Sequence, residues 1–364
     1  SRLGCWWVRL YVKRKPPGEA ALVEFTRRRF QTPDWLVWMH SLGVKIESVD
    51  SPVKGEWVSP RDGATSKRVI YYLHGGGYIS GSAKSCRPIT ATLARDLHAR
   101  VFGLDYRLAP EHRFPAGLDD AVAGYRWLLG SGIDPQSIAI VGDSAGGGMA
   151  LAVALRIRDA GQPLPACLVC LSPWTDMTGN SDSLTANSGR DSMFVGEDIE
   201  RYASVYLGEH SRLDPLASPL FADLGGLPPL LIQVGHDEVL LDDVTRVARD
   251  FDLDRDGAAS ATVLHGTGPA ADRQLLRFDR PRRRNPVFAV QNRHLLSDVR
   301  RNNLERGDQR APDRRNTEHP RRQWRAGCQL DGPPRHSHGD IRRRPERGAH
   351  DRRVDQSRRI RSSL

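Results

Sequence analysis

No stretch of about 18 consecutive apolar residues occurs in this 364-residue chain, so none of its segments can cross a bilayer as a helix. Cysteine is scarce as well. Five residues, odd in number and irregularly spaced, do not make the disulfide framework of a small secreted protein. The expected setting is therefore reducing and cytoplasmic. Cys167 and Cys170 form the one C-x-x-C, with no second pair to complete a zinc site. They sit in the apolar run Ala166-Cys-Leu-Val-Cys-Leu171 and read as core residues of a buried strand. No internal repeat is visible, which excludes a solenoid.

Hydrophobic residues are scarce in one place above all. Residues 271–364 hold 26 Arg, no Lys, 12 acidic and only 22 hydrophobic side chains. The formal charge of this tail is +14, against −4 for residues 1–270. A segment so poor in apolar surface is expected to be disordered or non-native. Arg without Lys, with abundant Pro, Gly, Asp and His, is what GC-rich coding DNA yields when read in another frame. A frameshift between about 250 and 270 is the hypothesis that follows, since residues 275–364 show no sustained apolar periodicity. The rival function is binding of nucleic acid or anionic lipid by the tail. Interleaved acids, only three aromatics (Phe278, Phe288, Trp324) and no recognisable motif argue against a specific nucleic-acid partner.

What is present reads as an α/β protein. Residues 18–41 have helical spacing interrupted at Pro33, and Val44–Val49 reads as a strand followed by a polar, Gly-rich stretch to Thr65. Apolar strands are then expected at Arg68–Leu73, Ala99–Asp105, Ser137–Val141, Ala166–Leu171 and Pro229–Val234. Helices are expected near 86–97, 118–129, 145–160 and 239–250. Strands apolar throughout and separated by helices predict a mostly parallel sheet with helices on both faces. The Ser-, Asp- and Gly-rich segment 174–225 breaks this rhythm and reads as a cap insertion. The start, Cys5-Trp-Trp-Val-Arg-Leu-Tyr-Val-Lys-Arg-Lys15, is apolar and then basic. It is expected to pack on the catalytic domain, with peripheral membrane association as the alternative.

Two motifs carry chemistry. Ile140-Val-Gly-Asp-Ser-Ala-Gly-Gly147 places G-x-S-x-G between an apolar strand and a helix, which points to Ser144 as a nucleophile raised on a tight turn. The helix that follows aims free N–H groups and a positive dipole end at a developing oxyanion. Leu73-His-Gly-Gly-Gly-Tyr78 follows another strand, and consecutive glycines leave backbone N–H groups open to an anion. A phosphate loop is the competing possibility, but the Gly-Lys-Ser/Thr ending and the G-x-G-x-x-G spacing are both missing.

With Asp105-Tyr-Arg-Leu-Ala-Pro-Glu-His-Arg-Phe-Pro-Ala116, Ser172-Pro-Trp-Thr-Asp176 and Asp214-Pro-Leu-Ala-Ser-Pro219, the sequence resembles the bacterial hormone-sensitive-lipase-like esterases of the α/β-hydrolase fold, from about residue 20 to 250. The resemblance implies a partial helical cap formed by residues 1–45 and 174–225 over a catalytic core at 46–270. It implies oxyanion donors at Gly76, Gly77 and Ala145, and a structural role for His74. Chain order in this fold is serine, acid, histidine. The family spacing puts Glu238 in the acid's place, with Asp237 one residue early as the alternative. Asp242 and Asp243 are expected to anchor the following helix, and His236 to be a loop residue.

The third member is the weak point of the match. His265 is the histidine the segment Ala261-Thr-Val-Leu-His-Gly-Thr-Gly-Pro-Ala-Ala-Asp272 offers, yet the family position falls near Ala270. The expected activity is hydrolysis of short- to medium-chain acyl esters, with a small-molecule ester as partner, no cofactor or metal, and a homodimer left open. The alternatives are an impaired esterase remnant lacking the histidine and a non-catalytic binder that uses the tail.

Overall fold

The computed structural model describes residues 13 and 15–251, together with the backbone of 252–253, 261–266 and 275–276. Two helices come first, α1 (Glu19–Arg29) and α2 (Asp34–His40), separated at Pro33 as the sequence predicts. Strands β1 (Val44–Val49) and β2 (Gly55–Pro60) form an antiparallel pair. The alternating units follow: β3 (Val69–Leu73), α3 (Arg87–Leu97), β4 (Arg100–Leu104), α4 (Ala116–Gly130), β5 (Ile138–Asp143), α5 (Ala145–Asp159) and β6 (Cys167–Leu171). The 174–225 segment contains α6 (Asp182–Ala186) and α7 (Gly196–Leu207). Then come β7 (Leu230–Gly235), α8 (Leu241–Leu253), β8 (Ala261–Gly266) and the two-residue β9 (Leu275–Leu276).

The sheet order is β1-β2-β4-β3-β5-β6-β7-β8-β9. From β4 to β8 the pairing is parallel, while β1, β2 and β9 are antiparallel at the edges. The expected strands are all present within a residue or two. Outside that set are β8, β9 and β2, the last read as part of a polar loop. Its residues are buried on both faces and its Glu56 is paired with Arg87 at 2.7 and 2.8 Å, so it shows no apolar/polar alternation to read.

Alternation along each central strand builds two cores. Tyr71, Leu73, Phe102, Leu104, Ile138 and Ile140 face α4, α5 and α8, whereas Ile70, Tyr72, Val101, Ala139 and Val141 face α3. Helices therefore cover both faces. Cys170 is buried in the first core, with its thiol against the Gly147 carbonyl at 3.4 Å. Cys167, on the α3 side, is half-buried beside Val169. No group of residues that could hold a metal occurs among the described residues. Likewise, no described helix is long and apolar enough to cross a membrane.

Lys15 and α1 are joined to the 174–225 insertion. The Lys15 ammonium is fully buried, 2.9 Å from the Asp198 carboxylate and 4.6 Å above the Phe194 ring. Thr26 and Tyr202 share a hydroxyl–hydroxyl bond of 2.8 Å, joining α1 to α7.

Candidate active site

The chain leaves β3, builds β4 on one side of it, then crosses through α4 to place β5 on the other side. The strand order thus reverses between β3 and β5, and the loops leaving their carboxyl ends open a crevice there. The two sequence motifs occupy these two loops.

Ser144 stands at the end of β5 with φ 52° and ψ −120°, a backbone conformation that costs a residue with a Cβ energy and persists only when neighbours enforce it. Its N–H donates to the Leu171 carbonyl at 2.8 Å, and its own carbonyl accepts from Gly147, Gly148 and Trp174. Two residues on, a Cβ at Gly146 would lie 2.0 Å from the Leu73 carbonyl oxygen. Glycine there is therefore a packing requirement that lets the first turn of α5 sit against β3.

The glycine loop is tied to this turn through Asp143. The Asp143 carboxylate accepts the Tyr72 hydroxyl at 2.6 Å and the Gly75 N–H at 2.9 Å. Gly76 adopts φ +119°, where a Cβ would meet the Ser80 carbonyl at 2.3 Å. His74 is buried, stacks on Tyr106 with ring centroids 4.1 Å apart, and has Nδ1 2.8 Å from the Gly75 carbonyl oxygen. Burial holds its imidazole below the ordinary pKa, so the ring is a neutral strut. The N–H groups of Gly76, Gly77 and Ala145 have no hydrogen-bond partner among the described residues. Ala145 is buried and directly follows Ser144, whereas Gly76 and Gly77 are half-buried on the loop that the Gly75–Asp143 bond ties to the serine turn.

Glu238 lies on the turn after β7, two strands from β5. It is half-buried, and its Oε1 accepts the Gly235 N–H at 2.7 Å. Burial raises its pKa, while the nearby Ser172 hydroxyl and the Gly235 N–H oppose the rise. Asp237 and His236 are exposed on the same turn, 3.5 Å apart. The two carboxylates thus differ in environment, and only Glu238 is held by the fold.

The insertion clamps this turn from above. Asn187 donates from Nδ2 to the carbonyls of His236 and Glu238 at 3.2 and 2.8 Å. Buried Asp191 accepts the Val239 N–H at 2.9 Å. Asp243, expected to anchor α8, accepts the Thr175 and Asp176 N–H groups and the Ser181 hydroxyl. Asp242 accepts the Ser183 N–H at 2.7 Å. The sequence reading missed Asn187 and Asp191, because a polar loop residue that bonds backbone has no spacing to betray it.

The backbone of His265 is described and its side chain lies outside the described residues. It pairs with Val234 inside β8. That strand is three intervals from β5, or about 14 Å at the usual strand spacing. Among the described residues, no histidine is hydrogen-bonded to Ser144 or Glu238.

Comparison with known proteins agrees with this architecture. A family model described as the alpha/beta hydrolase fold matches residues 70–267. The chain belongs to this family. It is similar to an acetyl-hydrolase of Streptomyces hygroscopicus, 47% identical over 190 residues, which is 52% of this chain and 62% of that protein. It is also similar to an esterase of Acinetobacter venetianus, 40% identical over 195 residues, or 53% of this chain and 64% of that one. The chain thus spans less than two thirds of the length of these relatives. Among solved structures, an esterase from the bacterial hormone-sensitive lipase family superposes with a TM-score of 0.66. It is 39% identical, over 72% of this chain and 86% of that one. The family match covers Ser144, Gly76, Gly77, Ala145 and Glu238, and it ends one residue after β8.

Proposed function

We propose that the chain is a carboxylic ester hydrolase in which Ser144 attacks the ester carbonyl. The observation that carries this is the strained Ser144 at the strand switch, its turn tied through the Asp143–Gly75 bond to the loop that bears the unpartnered N–H groups of Gly76 and Gly77, with the Ala145 N–H next in the chain. In this reading those donors hold the tetrahedral oxyanion, where each is worth far more than in water. Glu238 orients the histidine that takes the Ser144 proton and returns it to the leaving alcohol. That role falls to His265, the only histidine between Glu238 and residue 293. No cofactor enters the scheme. The names of the acetyl-hydrolase and esterase relatives support a small ester as substrate, whose acyl chain in this reading is short or medium. The family match ending at residue 267 supports a catalytic core that stops near 270, with 271–364 outside the hydrolase.

The second reading, an impaired hydrolase, is favoured by the position of His265 inside β8. A triad without its histidine retains a residual ~10³–10⁴-fold acceleration over water from the oxyanion hole and binding. Hydrolysis of p-nitrophenyl acetate, butyrate and octanoate by the chain, Ser144→Ala and His265→Ala separates the two. The proposal expects turnover that falls by orders of magnitude in both variants. Turnover that depends on Ser144 and not on His265 assigns the impaired reading, and turnover indifferent to Ser144 overturns both.

A further inference from the structure

We propose that Asn187 is a positioning residue for the Glu238 carboxylate, acting from the insertion through the backbone of the acid turn. The proposal rests on the ester-hydrolase reading, in which Glu238 orients the catalytic histidine. Asn187 is buried at the carboxyl end of α6. Its side-chain amide carries two hydrogens, and both go to one turn. They reach the His236 carbonyl at 3.2 Å and the Glu238 carbonyl at 2.8 Å. Two bonds from one planar group fix the tilt of the turn as well as its distance.

Glu238 needs an anchor outside its own turn. The bond from the Gly235 N–H to its Oε1 at 2.7 Å joins residues three apart. It therefore travels with the turn and sets the carboxylate only relative to its own backbone. Where that backbone stands against Ser144 depends on what holds the turn, and the insertion does so at several points. Besides Asn187, the Asp191 carboxylate accepts the Val239 N–H at 2.9 Å, and the Ser183 hydroxyl donates to the Val239 carbonyl at 2.7 Å. The Asn187 carbonyl in turn accepts the Arg190 and Asp191 N–H groups at 2.8 Å, so these side chains belong to one bonded unit.

That unit is anchored from a second side. Lys13 donates from Nζ to the Asp191 carbonyl at 2.8 Å and to the Ser188 carbonyl. Lys15 donates to the Met193 carbonyl at 2.9 Å. The mount of the acid turn is thus itself held in place. The side-chain chemistry at position 187 is specific as well. An aspartate has the same size but no donor, and would set a carboxylate against two carbonyl oxygens. An alanine would leave both carbonyls unpaired. A displacement of about 1 Å in the group that orients the proton carrier can cost about 10²-fold in rate.

The experiment compares p-nitrophenyl butyrate kinetics of the full chain with Asn187→Ala and Asn187→Asp, each also made in a Glu238→Ala background. Ser144→Ala is the blank, and melting curves verify folding at the assay temperature. The expected result is a kcat lowered about 10- to 100-fold with KM changed by less than about twofold. With Glu238 already removed, the same substitutions should cost nothing further. A loss of equal size in both backgrounds overturns the proposal, since Asn187 then acts independently of Glu238. Unchanged kcat, a loss confined to KM, or failure of both variants to fold overturns it too. Turnover that needs Ser144 but not Glu238 overturns the proposal and leaves the nucleophile standing. Turnover indifferent to Ser144 removes the ester-hydrolase reading and the proposal together.

Discussion

The Gly75 N–H donates to the Asp143 carboxylate at 2.9 Å, which joins the glycine loop to the residue immediately before Ser144. The same carboxylate holds the Tyr72 hydroxyl. Asp143→Ala leaves two buried donors unpaired and should cost about 2 kcal/mol or more, read as a lowered urea midpoint. Ester hydrolysis should fall further than stability explains, because the loop loses its tether to the serine turn. Asp143→Asn keeps an acceptor and should recover part of both.

Two glycines separate close approach from mere flexibility. Gly146→Ala would place a methyl 2.0 Å from the Leu73 carbonyl, and is expected to destabilise by about 3 kcal/mol or to prevent folding. Gly130, at the end of α4, has open space around its Cβ position. Gly130→Ala should be neutral or stabilise by up to about 1 kcal/mol. Thermal melting of the two variants checks both.

Lys15 and Asp198 are a buried pair whose desolvation is met by their mutual contact. Lys15→Met leaves the Asp198 charge buried without its main partner, and should cost about 3–5 kcal/mol. The double variant Lys15→Met/Asp198→Leu should recover most of the loss. Urea unfolding of the three proteins measures this, and equal losses in the single and double variants would refute it.

Asp243 gives the fold a pH dependence. Burial pushes its pKa up to about 6, and its three donors only partly oppose this. A carboxyl raised above its unfolded value of about 3.9 binds its proton more tightly when folded. Its stabilising contribution is full below about pH 4 and is lost as pH rises through about 6. The urea midpoint of the wild type should therefore lose more between pH 4 and 6.5 than that of Asp243→Asn. Parallel pH profiles would contradict the assignment.

Much of this was legible in the chain because periodicity and glycine chemistry are local. The apolar strands from Val69 to Gly235 announced the parallel sheet, and Gly142, Ser144 and Gly146 announced the turn. The resemblance pointed to Glu238 through the family spacing, and the fold holds that carboxylate on the Gly235 N–H while leaving Asp237 in solvent. What escaped was non-local. The sequence gives no sign that Asn187 and Asp191 bond the backbone of the acid turn about 50 residues away. Nor does it show that Glu56 in β2 faces Arg87, since a buried ion pair looks polar in one dimension.

The central claim is that Ser144 is an acyl acceptor. Peptide mapping by mass spectrometry after brief exposure to p-nitrophenyl acetate tests it directly. The account predicts an acetyl group on Ser144, lost in Ser144→Ala and reduced in Gly76→Ala. Acetylation confined to lysines or other serines, with Ser144 unmodified while p-nitrophenol is released, would contradict it.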